Sequence, residues 1–233
     1  MPLRVLVTGG GRGIGRAIAL RFAREGAHVA VAARNSGELD TVAAEITAAG
    51  GRGRAQQMDV ADHGSVEGGI YRAVEFLGGA MDLLVNCAGV FDVKPIGSMD
   101  VATWYRNISV NLNGPFYVTL ESLDSLLAGE RPHIVNVASV AAREGFAGNA
   151  AYCASKYGLR GFSDAIRHDL KDKGIRVTTV YPGATDTKIF DRVPGSWDRA
   201  KMNKPEDVAE VVWKANRAPD GTPIDDLDVP PRA

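Results

Sequence analysis

"LRVLVTGGGRGIG", residues 3–15, decides the architecture. Leu3 to Thr8 form a short apolar run, the pattern of a strand buried on both faces. Glycines then crowd together, and Ile14, Ile18 and Phe22 recur at helical spacing. Glycines let backbone turn sharply and approach a ligand closely. The helix that follows offers free N–H groups and a positive dipole end, which suits a pyrophosphate. The spacing is Gly9-x-x-x-Gly13-x-Gly15, not G-x-G-x-x-G. The strand before it and the helix after it therefore carry the nucleotide-binding reading, against a plain tight turn.

The same alternation continues down the chain. Apolar runs at 28–33, 81–86, 133–139 and 175–183 read as strands, with a weaker one at 53–60 and a short last one near 223–229. Helical stretches fall at 13–25, 37–49, 63–77, 100–128, 152–173 and 205–216. Strand–helix alternation implies right-handed crossovers and a doubly wound parallel sheet of Rossmann type, with helices on both faces. No repeat or linker divides residues 1–233, so the expectation is an α/β fold in a single nucleotide-binding catalytic domain. The "DVPPRA" end reads as a frayed terminus.

Bulk properties exclude several classes. The formal net charge is −1 and the basic residues are scattered, so a nucleic-acid partner is not expected. No apolar run approaches the ~20 residues of a membrane span. No charged, apolar leader opens the chain, which makes the cytoplasm the default location. Cys87 and Cys153 form no C-x-x-C and read as reduced thiols, and the four histidines are far apart, so no metal site is expected.

The end of the second strand selects the nucleotide. An acid there would grip a ribose 2′-hydroxyl, but the chain has Ala33 followed by Arg34, with Arg12 in the glycine loop. Two guanidiniums without a carboxylate suit a 2′-phosphate, so NADP(H) is favoured over NAD(H).

Tyr152 and Lys156 share one helix face, four residues apart. Many polar pairs have that spacing and mean nothing. Ser139 ends the strand thirteen residues upstream, Asn111 lies in the 100–128 helical stretch, and "NCAG" (86–89) ends the fourth strand at the same sheet edge. With Thr8-Gly9, Gly13-Ile14-Gly15, Asp59-Val60, Asn86-Cys87-Ala88-Gly89 and Pro182-Gly183 followed by Thr187, the chain resembles the short-chain dehydrogenase/reductase family over nearly its whole length. It is similar to the single-domain, NADP-preferring type that includes 3-oxoacyl-acyl carrier protein reductases and related carbonyl reductases. Cys87 stands where the family's motif has another small residue.

The resemblance implies a reaction. Tyr152 is the general acid for carbonyl reduction and the base for alcohol oxidation, and the Lys156 ammonium lowers its pKa and holds ribose hydroxyls. Ser139 hydrogen-bonds the substrate oxygen, and Asn111 holds a water that extends the proton relay. Gly9, Arg12, Gly13, Ile14, Gly15 and Arg34 hold the phosphates. Asp59 and Val60 flank the adenine, and Asn86, Ala88 and Gly89 line the ribose. Pro182, Gly183 and either Thr185 or Thr187 border the nicotinamide. Cys153, Ala154 and Ser155 read as small residues that let the helix sit close to the cofactor, without chemistry of their own. The alternative, a catalytically silent NADP-binding regulator on the same fold, is disfavoured because all four polar residues are present.

Residues 90–100 and 188–203 would roof the substrate, the second as a lid, with Phe91, Phe146, Phe190, Trp197 and Met202 as an apolar wall. The substrate is a small-molecule or acyl-thioester carbonyl. An acidic acyl carrier would need a basic patch, and Arg131, Lys171 and Lys173 are diluted by Glu130, Asp169 and Asp172. The chain ends soon after "IDDLDV", without the glycine-rich segment many relatives use in tetramers. Of homodimer and homotetramer, a dimer through the 100–128 and 152–173 helices comes first.

Overall fold

Strand residues alternate their burial partners, and that alternation builds a two-faced sheet. Val5, Val7, Val29, Val31, Leu83 and Val85 join one apolar cluster, whereas Leu6, Ala30, Ala32, Leu84 and Ile134 join another. Both faces are dry, which is why these strands read as continuous apolar runs. In the computed structural model, residues 1–193, 197–219, 222 and 224–230 are described.

The strands are β1 Arg4–Thr8, β2 His28–Ala33, β3 Arg52–Gln57, β4 Leu83–Asn86, β5 His133–Val137, β6 Arg176–Pro182 and β7 Asp226–Val229. They form one sheet in the order β3-β2-β1-β4-β5-β6-β7 with every pairing parallel. The helices are α1 Gly13–Ala23, α2 Ser36–Ala48, α3 His63–Leu77, α4 Val101–Ile108, α5 Gly114–Leu127, α6 Ala150–Lys171 and α7 Pro205–Asn216. Ile18 and Phe22 of α1 pack with Val208 and Val212 of α7 on the first face. Val66 and Ile70 of α3 pack with Val118 and Leu126 of α5 on the second. Fully burying a side chain of that size stabilises the fold by about 1.5–3 kcal/mol.

The expected elements are present, with ends shifted by a few residues. One stretch differs in kind. Residues 100–128 are not one helix: a π-helical turn, Ser109–Asn113, separates α4 from α5, and Pro115 opens the first turn of α5. The strand order reverses between β1 and β4, since the chain runs outward through β2 and β3 and then crosses over to β4. Such a switch point opens a crevice at the carboxyl ends of the strands, where ligands bind in doubly wound sheets.

Candidate active site

The loop from β1 to α1 is shaped by what cannot fit there. Gly9 has φ +65°, and a Cβ on it would lie 2.8 Å from the backbone of Ala88. A Cβ on Gly15 would lie 2.3 Å from the Gly9 carbonyl oxygen. Thr8 ties this loop to the one after β4: its Oγ1 accepts from the N–H groups of Cys87 (3.1 Å) and Ala88 (3.2 Å). The first turn of α1 has no side-chain cap and no acid, whereas Asn35, Asp62 and Asp100 cap α2, α3 and α4. Its N–H groups are thus left for an anion.

A cleft of about 420 Å³ runs from this loop along the sheet edge. Gly9, Arg12, Gly13, Ile14, Gly15, Arg34, Asp59, Val60, Ala88, Gly89, Tyr152, Lys156 and Thr187 all line it. The volume lies within the usual range for small-molecule sites. The glycine cradle, the uncapped helix and the two guanidiniums at one end fit a nicotinamide dinucleotide. Among the described residues, no group of three or more His, Cys, Asp or Glu is placed to hold a metal.

Several expected residues stand behind the wall of this cleft. Asn86 is buried and donates from Nδ2 to Asn136 Oδ1 (2.9 Å) and Thr119 Oγ1 (3.2 Å), joining β4 to β5 and α5. Pro182 pairs with Val229 and the Gly183 N–H donates to the Val229 carbonyl, so both belong to the β6–β7 ladder. Thr185 is buried with its hydroxyl on the Gly183 carbonyl (2.9 Å). Thr187, not Thr185, faces the cleft, because the chain turns there into the short helix Lys188–Arg192 that Thr187 caps.

Asn111 also lies outside the cleft lining, fully buried in the π-turn. Its Oδ1 accepts from the Val90 N–H (2.9 Å), and its Nδ2 donates to the Val90 carbonyl (3.0 Å) and Ser155 Oγ (3.0 Å). The side chain therefore braces the loop after β4 against α6. Ser155 is more than a small spacer: it completes this brace and donates to the Tyr152 carbonyl (2.7 Å). No local spacing signals this, because the partners lie 21 and 44 residues from Asn111.

Ser139 and Tyr152 meet. Burial pushes the Tyr152 phenol up to about 12, and its hydrogen bond with Ser139 offsets part of that rise. Lys156 does not lower it in this structure. Desolvation dominates, and the Lys156 Nζ stands 5.9 Å from the centre of the Tyr152 ring. Lys156 is itself buried and donates to the Val137 carbonyl (2.9 Å). Burial lowers it to about 8, against an opposing pull from Cys87. Cys87 in turn is pushed up to about 12 by its burial.

At the other end, the reading of guanidiniums without a carboxylate needs correction. Glu38, in the first turn of α2, lines the cleft beside Arg12 and Arg34, with its Oε1 3.7 Å from Arg12 Nη1. The Asn35 cap, accepting from the Glu38 N–H, sets that turn. Of the proposed apolar wall, Phe91, Phe190 and Trp197 gather beside Tyr152, whereas Phe146 is exposed and Met202 is buried. Residues 194–196 of the expected 188–203 lid, and 231–233 of the expected frayed end, lie outside the described residues.

Comparison with known proteins gives a consistent result. The sequence model of a family described as short chain dehydrogenase matches residues 4–195. The chain is 34% identical over 97% of its length to glycine betaine reductase ATRR of Emericella nidulans, but spans only 18% of that protein. It is 36% identical over 189 residues, 81% of this chain and 68% of the relative, to a 3beta-hydroxysteroid dehydrogenase of Mediterraneibacter gnavus. Among solved structures, an alcohol dehydrogenase of Thermococcus sibiricus complexed with 5-hydroxy-NADP superposes with a TM-score of 0.91 at 26% identity, covering 98% of this chain and 96% of the other.

Proposed function

The chain belongs to the short-chain dehydrogenase family, and from that premise we propose that it is an NADP(H)-dependent oxidoreductase interconverting a ketone or aldehyde with its alcohol. The family and the cleft support a nicotinamide cofactor; the choice of NADP(H) is the finer step. It rests on Arg12 and Arg34 at the cleft end, with Glu38 partly engaging Arg12. The nicotinamide, when bound, supplies or accepts the hydride. Tyr152 donates the proton to the carbonyl oxygen, and Ser139 holds that oxygen beside it. Lys156 spends one of its three donors on Val137, leaving the others for ribose hydroxyls. Asn111 acts through position, fixing Val90 and α6 around the reacting groups, and any relay water would sit beyond its side chain.

The observation that carries this reading is Tyr152 with Ser139 near enough to lower its pKa, beside buried Lys156, where Tyr152 and Lys156 line the same cleft as the uncapped glycine loop. The test is a panel of ketones, aldehydes and a 3-oxoacyl thioester assayed with NADPH and NADH in parallel. Wild-type protein is expected to turn over at least one carbonyl with NADPH preferred. Tyr152→Phe should abolish turnover and keep NADPH binding. Undiminished activity in that variant removes the assignment, and a strong NADH preference removes the reading of Arg12 and Arg34.

A dimer is proposed through α4, α5 and α6. Trp104, Tyr105, Phe116, Leu120, Leu127 and Tyr157 are exposed large hydrophobics on those helices, more than solitary surface residues need. Among the described residues, no helix is long and apolar enough to cross a membrane. The cytoplasm remains the proposed location.

A further inference from the structure

We propose that the substrate half of the site selects a carbonyl compound bearing a flat ring, an aryl ketone or aldehyde in chemical terms. This rests on the carbonyl-reduction reading and deepens it. The observation is a ladder of aromatic rings that begins on the proton donor. Phe91 meets the Tyr152 ring edge-on at 4.6 Å between centroids, and Phe190 meets Phe91 in the same manner at 5.7 Å. Trp197 continues the row, 5.0 Å from Phe190. Phe91 and Phe190 are only half-buried, so part of each ring remains open to a ligand. Rings prefer tilted or edge-on neighbours at these distances and gain from them beyond the area they bury. A planar ring joined directly to the reacting carbonyl can enter this row while its oxygen reaches Tyr152 and Ser139. A flexible alkyl chain covers the same area but lacks the ring contacts and loses rotamer freedom.

The two sides of the ladder are held differently. Phe91 follows Val90, whose N–H and carbonyl are both clamped by buried Asn111. That wall is rigid. Phe190 lies on the short helix Lys188–Arg192, which Arg199 fastens through Asp186 (2.7 Å), Asp191 (2.8 Å) and the Thr187 carbonyl (3.1 Å). Arg199 is thereby engaged and is no ready partner for a substrate carboxylate. Lys94 pairs with Asp100 and, beside that loop, Arg106 with Asp92, whereas Lys188 lines the cleft with no ion pair among the described residues.

The test compares acetophenone with 2-octanone, which has the same number of carbons but no ring, and with the N-acetylcysteamine thioester of acetoacetate. Each is assayed for kcat/KM with NADPH, and each is titrated by calorimetry into NADP-loaded protein. Two ring contacts predict that acetophenone is favoured over 2-octanone by about tenfold in both readouts. Phe91→Leu and Phe190→Leu keep apolar bulk and folding while removing the ring, and each should cut that ratio severalfold. Circular dichroism confirms that the variants fold. A linear ketone or thioester that matches or exceeds acetophenone overturns the inference and leaves carbonyl reduction standing. A ratio unchanged in both leucine variants also overturns it. Selective acetophenone binding that depends on Phe91, without turnover of any carbonyl, supports the aromatic site and removes the reductase reading instead.

Discussion

Lys156→Met in the nucleotide-free protein tests how the site stores free energy. Lys156 is buried, with its ammonium on one carbonyl, and is lowered from 10.5 to about 8. That gap is worth about 3 kcal/mol, at about 1.4 kcal/mol per pH unit. The unfolded chain holds this proton more tightly, so between pH 8 and 10.5 it binds more protons than the folded chain, and stability rises with pH there. Below pH 8 the full cost of burying the ammonium is present; above 10.5 it is gone. From pH 7 to pH 10 this one group adds about 2–3 kcal/mol to stability. In a chain of this size that is about 5–10 °C of melting temperature. Tyr152 and Cys87, both raised to about 12, act in the opposite sense at high pH, so the wild-type curve alone does not isolate the lysine. The difference between the Met variant and wild type does. Losing the Val137 bond shifts that difference by a constant, and the charge makes it shrink as pH rises. The assay is differential scanning calorimetry at half-unit steps from pH 7 to 10. Two parallel curves would refute the reasoning.

Asn111→Ala orphans the buried N–H and carbonyl of Val90, at about 1–3 kcal/mol each, so its melting temperature should fall by at least about 4 °C. Ser155→Ala leaves both Val90 bonds intact and should cost only about 1 kcal/mol; equal losses in the two variants would contradict the brace. In Gly15→Ala the new methyl must displace the Gly9 carbonyl 2.3 Å away, so NADPH affinity, read by nucleotide fluorescence, should drop at least about tenfold, and unchanged binding would show that the loop is not the cradle. Because Tyr152 stays protonated to about 12, carbonyl reduction should be level from about pH 6 to 7.5, below the titration of Lys156 near 8, while alcohol oxidation rises roughly tenfold per unit there; a level oxidation profile would mean that burial does not govern the bound state.

The strands were legible because burial on both faces forces an unbroken apolar run, and that signal is local. The π-turn was not legible as such. Pro115 carries a helix-start signal inside the 100–128 stretch, yet the helical spacing on either side of it invites a single helix. The glycine loop and the Tyr152–Lys156 pair were readable for the same reason as the strands, since each motif is contiguous or one helical turn long. Glu38 was not legible from the end of β2. The acid comes four residues after Arg34, after the chain has turned at Asn35, and folds back beside Gly11 and Arg12. The brace of Asn111 joins three segments that only the fold brings together, and no spacing rule reaches across them.

Burial acts on both members of the Tyr152–Lys156 pair, and in both it favours the neutral form. It raises the phenol and lowers the ammonium. At pH 7 the lysine remains mostly charged and the tyrosine fully protonated, so the protein alone prepares a proton donor. Making tyrosinate at that pH would cost about 7 kcal/mol. A site poised in this way suits reduction, where the phenol gives its proton to an oxygen that is gaining charge. Alcohol oxidation needs the phenolate, and the structure offers no cheap route to it without a ligand. A bound nucleotide would lower that cost if it drew the Lys156 ammonium off the Val137 carbonyl and toward the phenol. In the structure the Val137 carbonyl holds that ammonium, and its Nζ stands 5.9 Å from the centre of the Tyr152 ring.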